Sequence, residues 1–267
     1  MRIDKIKDLL DIYKNSDLSF DEKLKILRKL SKVKLSKKES MTLEKEILSM
    51  DDGFAVAFTA SSSWANFRKH EERVIELKDA PVSNYFVSTY GNNCDIERHR
   101  KIILESKDAK TNFEFLTQYN GKKSDIEEHG HVIAESKNPL YNYLFSFIFQ
   151  DTVNISENEK AVIENAQPID SIKYIQDIET ADIKSHREKI LKSNSLEANV
   201  KFPLLVDSTE EEARDHYNRA FEIMLSDKKD ETLPFMNLMV ELKEKIDDGF
   251  YREKIIIPNQ IQYKKTK

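Results

Sequence analysis

Residues 67–86 read FRKHEERVIELKDAPVSNYF, residues 97–116 ERHRKIILESKDAKTNFEFL, and residues 127–145 EEHGHVIAESKNPLYNYLF. Set beneath one another they align column by column, and the columns continue to five units with a period of roughly thirty residues, the size of a stacked supersecondary repeat. A polar residue suited to helix capping opens each unit: Asn66, Asp95, Asp125, Asn154 and Asp182. An apolar residue follows it in every case: Phe67, Ile96, Ile126, Ile155 and Ile183. Three positions on stand His70, His99, His129, Asn158 and His186, and four beyond those Val74, Ile103, Ile133, Val162 and Ile190. A second capping column holds Asp79, Asp108, Asn138, Gln167 and Ser195, and an aromatic closes each unit: Phe86, Phe115, Phe145, Tyr174 and Phe202.

The third unit shows the physics. Asp125 with Glu128 three residues on reads as a capping box for a first helix. Ile126, His129 and Ile133 share one face of it, because spacings of three and four repeat the helical turn. Lys137 suits the negative end of that helix. Asn138 then caps a second helix with Pro139 in its first turn, where a missing N–H costs nothing. Helices of about ten residues are marginal alone in water, so packing between units must stabilise them. The expected fold is all-α: an α-solenoid of stacked helix-turn-helix repeats with helical N- and C-terminal caps.

Residues 1–39 are expected to form the N-terminal capping helices, with Ser19 and Glu22 boxing the second. Residues 40–206 are expected to hold the array, one degenerate unit plus five. In the degenerate unit Asp51 and Phe58 take the second-cap and closing-aromatic places. After Phe202 and Pro203 the periodicity fades, so residues 207–247 read as C-terminal capping helices and 248–267 as an extended basic tail.

Composition agrees. Five Gly and six Pro among 267 residues are few for a chain of many tight turns, and 34% charged with 39% hydrophobic residues suits amphipathic helices. No Gly-rich phosphate loop, nucleophile elbow, HExxH or EF-hand loop occurs. The single Cys94 excludes an internal disulfide and any multi-Cys zinc site, which fits a reducing compartment. No apolar run reaches the ~18 residues of a membrane span. A soluble cytoplasmic protein is the expectation, in the host cytoplasm if the source is viral.

The net charge of −5 is uneven: residues 1–50 carry +4 and 248–267 carry +3, which leaves −12 on 51–247. An acidic array disfavours direct nucleic-acid binding.

Three polar columns compete for function. The histidines His70, His99, His129 and His186, with Asn158, lie on the apolar face. Equivalent positions in neighbouring repeats are about 8–10 Å apart, too far to share a zinc with ligand bonds of about 2.0–2.3 Å. They read as a buried structural ladder bonding loop carbonyls, since Asn and His can each donate and accept. Glu76, Glu105 and Glu135 with Lys78, Lys107 and Lys137 read as a solvated charged face. Ser83, Asn112, Asn142, Ser171 and Asn199, four residues into the second helices, are the candidate binding row, with a solvated outer face as the plain alternative. Trp64 is expected to pack in a cap. No catalytic residue, metal or cofactor is expected, and the chain reads as non-enzymatic.

The stretches DIERHRKIILESKDAKTNFEF (95–115) and DIEEHGHVIAESKNPLYNYLF (125–145) resemble short helical tandem repeats of tailed bacteriophage and giant-virus proteins. The resemblance covers about residues 40 to 205; units four and five depart from it at Asn158, Gln167 and Ser195. It implies an α-solenoid interaction protein with no shared active site. The expected function is a non-enzymatic protein–protein interaction scaffold, in its narrower form a phage protein that binds and inhibits or redirects a host factor. One alternative is an acidic nucleic-acid mimic inhibiting a DNA- or RNA-binding protein; a second is a small-ligand-binding protein.

Overall fold

The computed structural model describes residues 3–14, 17–119, 121–226 and 233–247. Among them are sixteen α-helices, one 3-10 turn and no strand, with neighbouring helices packing in succession as an all-α, solenoid-like fold. The chain divides into two compact units, Met1–Ser136 and Lys137–Lys267.

The first unit opens with α1 (Ile3–Tyr13) and α2 (Phe20–Ser31). Ser19 and Glu22 form the expected capping box of α2, and Tyr13 reaches forward to donate to Asp52 Oδ2 at 2.6 Å. Next come α3 (Lys37–Leu48), α4 (Gly53–Thr59), α5 (Phe67–Leu77), α6 (Ala80–Tyr90), α7 (Ile96–Glu105), α8 (Ala109–Gln118) and α9 (Lys123–Glu135). Since α3 starts at Lys37 behind its own Ser36–Glu39 capping box, the expected boundary at 39/40 falls inside a helix. The array begins a turn earlier than the sequence suggests.

In the degenerate unit the cap is Asp52, not Asp51, for Ala55 N donates to Asp52 Oδ1 at 3.1 Å. The closing-aromatic place thereby moves from Phe58 to Thr59, which is fully buried. At Gly53, the first residue of α4, an added Cβ would lie 3.3 Å from the Leu77 and Val82 side chains, so a larger residue would require them to shift by a few tenths of an ångström.

The second unit holds α10 (Pro139–Phe149), α11 (Ser156–Asn165), α12 (Pro168–Asp177), α13 (Ile183–Lys192), α14 (Leu196–Leu205), α15 (Glu210–Ser226) and α16 (Leu233–Asp247). The tail 248–267 and Thr232 lie outside the described residues.

Capping follows the two sequence columns with instructive departures. Asn66, Asp95, Asp182, Asp79, Asp108, Asn138 and Ser195 each accept from a backbone N–H two or three residues on. Asp125 does not sit at the cap. Helix α9 starts a turn earlier, and Asp125 Oδ2 reaches back to accept from Lys122 N at 3.0 Å. Asn154 accepts from Ser156 N at 2.9 Å. Gln167 makes no side-chain cap; Asp170 takes its backbone N–H instead, at 3.2 Å.

Within each unit the helices form two layers. The closest packing joins a second helix to the first helix of the following repeat: α4 on α5, α6 on α7 and α8 on α9 in the first unit, α10 on α11, α12 on α13 and α14 on α15 in the second. The packed pair is therefore offset by one helix from the repeat read in the sequence. Successive second helices also touch (α4 with α6, α6 with α8, α12 with α14). The apolar columns meet between the layers: Val74, Phe86, Ile103, Phe115, Ile133, Tyr174, Ile190 and Phe202 are all buried essentially completely.

Candidate functional site

The polar ladder is real and fully internal. His70, His99, His129 and His186 have no exposed surface, and Asn158 has 2%. Three of the rings pack on the aromatic that closes the preceding repeat: His99 on Phe86 at 5.0 Å, His129 on Phe115 at 5.0 Å and His186 on Tyr174 at 4.8 Å. His70 meets Trp64 edge-on, and the indole N–H donates to Leu30 O at 2.9 Å, so Trp64 does serve as cap packing.

The column continues one step past the expected array. His216 in α15 is fully buried, stacks on Phe202 at 4.5 Å and bonds Asn199. Helix α15 (Glu210–Ser226) is thus a further repeat helix. The sequence hides this because the flanking apolar places hold the small Ala213 and Ala220, which blunt the periodic signal, although both are fully buried.

The candidate binding row faces inward. Ser83, Asn112, Asn142, Ser171 and Asn199 all have no exposed surface, which corrects both their assignment as a recognition face and the plain alternative of a solvated one. These residues are the ladder's missing half. Asn112 Nδ2 donates to Ile103 O and Asp108 O, at 3.0 and 2.8 Å, and its Oδ1 lies 2.6 Å from His129 Nδ1. Asn199 repeats the arrangement with Ile190 O, Ser195 O and His216. Asn142 Oδ1 accepts from Asn158 Nδ2 at 2.9 Å.

His129, Asn158 and His216 therefore bond side-chain amides rather than loop carbonyls, while His70 Nδ1 lies 2.8 Å from Val56 O within α4. An amide oxygen or a carbonyl can only accept, so His70, His129 and His216 carry their proton on Nδ1. Burial holds four of these rings neutral: it pushes the pKa of His70 and His99 down, that of His129 to about 4 and that of His216 to about 3, with Arg100 and Arg187 adding to the last two.

The residue after the ladder position forms a column that sequence reading missed. Where it is Glu, the carboxylate crosses to the next repeat and accepts its cap backbone N–H: Glu44 from Asn66 at 2.5 Å, Glu71 from Asp95 at 2.5 Å and Glu159 from Asp182 at 2.6 Å. Where the next first helix starts a turn earlier, the column holds Arg. Arg100 bonds Glu128 at 2.6 Å and approaches Asp125; Arg187 bonds Asp215 at 2.8 Å and approaches Glu212. A carboxylate meets backbone donors and a guanidinium meets acidic side chains, so residue type follows helix register.

Glu76, Glu105 and Glu135 are exposed as expected. Lys78, Lys107 and Lys137 have a backbone role beyond charge: their φ values of 52°, 55° and 56° place them in the left-handed turn that ends each first helix. The acidic surplus is interleaved with lysines, as in the pairs Lys101–Glu105, Lys110–Glu114, Lys123–Glu127 and Lys160–Glu164.

With both ladder columns internal, recognition falls to the outer surface. The first unit carries a groove of about 680 Å³ between α6 and α8, lined by Asn84, Val87, Ser88, Gly91, Asn92, Ile96, Phe115, Gln118 and Tyr119. Its lining is uncharged: carboxamides and hydroxyls over an apolar floor. Asn84 is 6% exposed, and its Oδ1 has no hydrogen-bond partner among the described residues. Gly91, at φ 50°, ends α6 and keeps the wall low. A smaller cleft of about 200 Å³ in the second unit is lined by Pro139, Leu140, Tyr143, Val162, Ala166, Asp170 and Lys173.

No family model, curated protein or solved structure matches the chain. No helix among the described residues is long and apolar enough to cross a membrane.

Proposed function

We propose that the protein is a non-enzymatic interaction scaffold whose α6–α8 groove takes an uncharged, extended segment of a partner protein. The uncharged lining of that groove is the observation that supports this reading. A carboxamide offers one donor and one acceptor face, which matches the alternating N–H and C=O of a peptide backbone. Asn84, Asn92 and Gln118 supply three such groups beside Val87 and Ile96, which would take apolar side chains over the buried Phe115. The resemblance to bacteriophage and giant-virus repeats makes a host factor the partner and the host cytoplasm the place of action in this reading. Nucleic-acid mimicry is less well supported, because lysines break up the acidic surface that it needs.

Affinity capture with mass spectrometry from the native cell tests this, using wild type beside Asn92→Arg and Gln118→Arg. Both side chains are exposed, so the arginines change the groove and spare the core. One protein should be recovered in stoichiometric amount with wild type, resist molar salt and be lost with both variants. Recovery that is equal for wild type and variants, or that vanishes in salt, overturns the reading.

A further inference from the structure

Three side chains with metal-ligating atoms converge where α5 meets the start of α7. Glu71 projects from α5, Cys94 immediately precedes the Asp95 cap, and His99 lies one turn into α7. One ligand atom from each lies within 4.8 Å of the other two. All three are buried, at 2%, 9% and 0% exposure.

The Glu–His half of this cluster belongs to the repeat. Glu44 and His70 stand 4.0 Å apart, Glu71 and His99 4.0 Å, and Glu159 and His186 3.4 Å. In each case the carboxylate also accepts the next cap's N–H, which is sufficient reason for its presence. The thiol is different. The two sister places carry Ala65 and Ala181 just before the caps Asn66 and Asp182, so capping does not require sulfur there.

His99 supplies the second observation. Because Ser83 stands where an asparagine bonds His129 and His216 through Nδ1, His99, like His186 beside Ser171, has no hydrogen-bond partner for either ring nitrogen among the described residues. Its Nε2 faces Glu71, and the ring is held flat against Phe86. Glu71 is itself fixed by Arg68 at 2.6 Å and by Asp95 N, the kind of outer support that orients a metal-binding carboxylate.

We propose that Glu71, Cys94 and His99 form a binding site for a borderline-soft divalent cation of the zinc type, with three protein ligands and a fourth position left to solvent. One thiolate, one imidazole and one carboxylate suit such an ion. Cys94 gives its proton to solvent as the sulfur–metal bond forms, releasing the 3.0 Å bond it donates to Gly91 O. The thiolate and carboxylate then balance the cation's two charges inside a buried space. Bond lengths of about 2.0–2.3 Å require the cluster to tighten by roughly 1 Å, within reach of side-chain torsions.

Titration of the full-length, metal-free protein with cobalt(II) tests the site, because a cobalt–thiolate bond absorbs in the near ultraviolet. The expected result is a charge-transfer band saturating at one equivalent and displaced by zinc. Cys94→Ala installs the residue its sister positions use, and should abolish the band while leaving the helical circular dichroism unchanged. His99→Asn follows Asn158 in the same column, and with Glu71→Gln should weaken binding at least tenfold; Glu44→Gln at the sister cluster should change nothing. No band with the folded protein in excess cobalt overturns the proposal. So does a band that survives Cys94→Ala, or an affinity indifferent to both His99→Asn and Glu71→Gln, which marks a bare thiol complex.

Discussion

Asn112 Oδ1 accepts a hydrogen bond from His129 Nδ1 at 2.6 Å, joining the second helix of one repeat to the first helix of the next. The same amide donates to the exposed carbonyl end of its own first helix, at Ile103 O. One buried side chain therefore ties three helices. Asn112→Ala should cost about 2–4 kcal/mol, since it strands buried polar atoms on both sides. Urea unfolding checks this through a lower midpoint at unchanged slope; a shift worth less than about 0.5 kcal/mol would put the ladder's importance in doubt.

Serine at the same position leaves the ladder open. Ser171 Oγ and both ring nitrogens of His186 have no hydrogen-bond partner among the described residues, because the serine oxygen sits one carbon nearer its backbone than an asparagine oxygen. Ser171→Asn should stabilise the protein by about 1 kcal/mol as the amide reaches His186. A fall in melting temperature would mean that packing leaves no room for it.

Acid should unfold the protein through its histidines. With a folded pKa pushed down to about 4 for His129 and about 3 for His216, the native state stays neutral while the unfolded chain takes up protons below pH ~6.5. Stability is therefore fully present above that value and is lost as pH falls through 6.5 toward 4 and 3, by on the order of a few kcal/mol per histidine. Thermal melts from pH 7.5 to 4 should show the decline, with less of it in His216→Asn. An equal slope for wild type and variant would remove His216 from the cause.

Lys107 holds φ 55°, a conformation that costs a residue bearing a Cβ about 1–2 kcal/mol. Lys107→Gly should remove that strain, offset in part by the added freedom of glycine when unfolded, for a net gain of up to about 1 kcal/mol. Lys107→Val should lose stability. Chemical denaturation of the two variants checks the opposite signs.

Glu159 accepts the backbone N–H of Asp182, so Glu159→Ala should cost about 1–3 kcal/mol and Glu159→Gln much less, because Gln keeps an acceptor. Hydrogen exchange of the Asp182 amide should accelerate in the alanine variant alone.

The fold was legible because three signals coincide in each repeat: cap, apolar period and closing aromatic. Phe86, Phe115, Phe145, Tyr174 and Phe202 all reached the interior. The direction of the small polar column was not legible. Asn112 and Asn199 look like surface residues until their amides are seen to bond a helix end and a histidine. The Glu71–Arg100 alternation escaped because it follows helix register, which changes at Lys123 and Glu210 where helices gain a turn. His216 escaped because alanines flank it. The groove at Asn84 and Gln118 could not be read either, since it depends on how far apart α6 and α8 stand.

Lys78 and Lys107 close their helices with the same left-handed turn and hand over to the same residue, aspartate. That identity makes the layer α6–α7 a removable module. Excising residues 79–107 joins Lys78 to Asp108 across an unaltered joint, takes out one matched helix pair whole, and leaves Asn112 facing His129 as before. Length in this chain is a number of such modules, and subtracting this one asks for a single change, Glu71→Arg, because α5 would then meet α9 and its Asp125 and Glu128 as Arg100 does now.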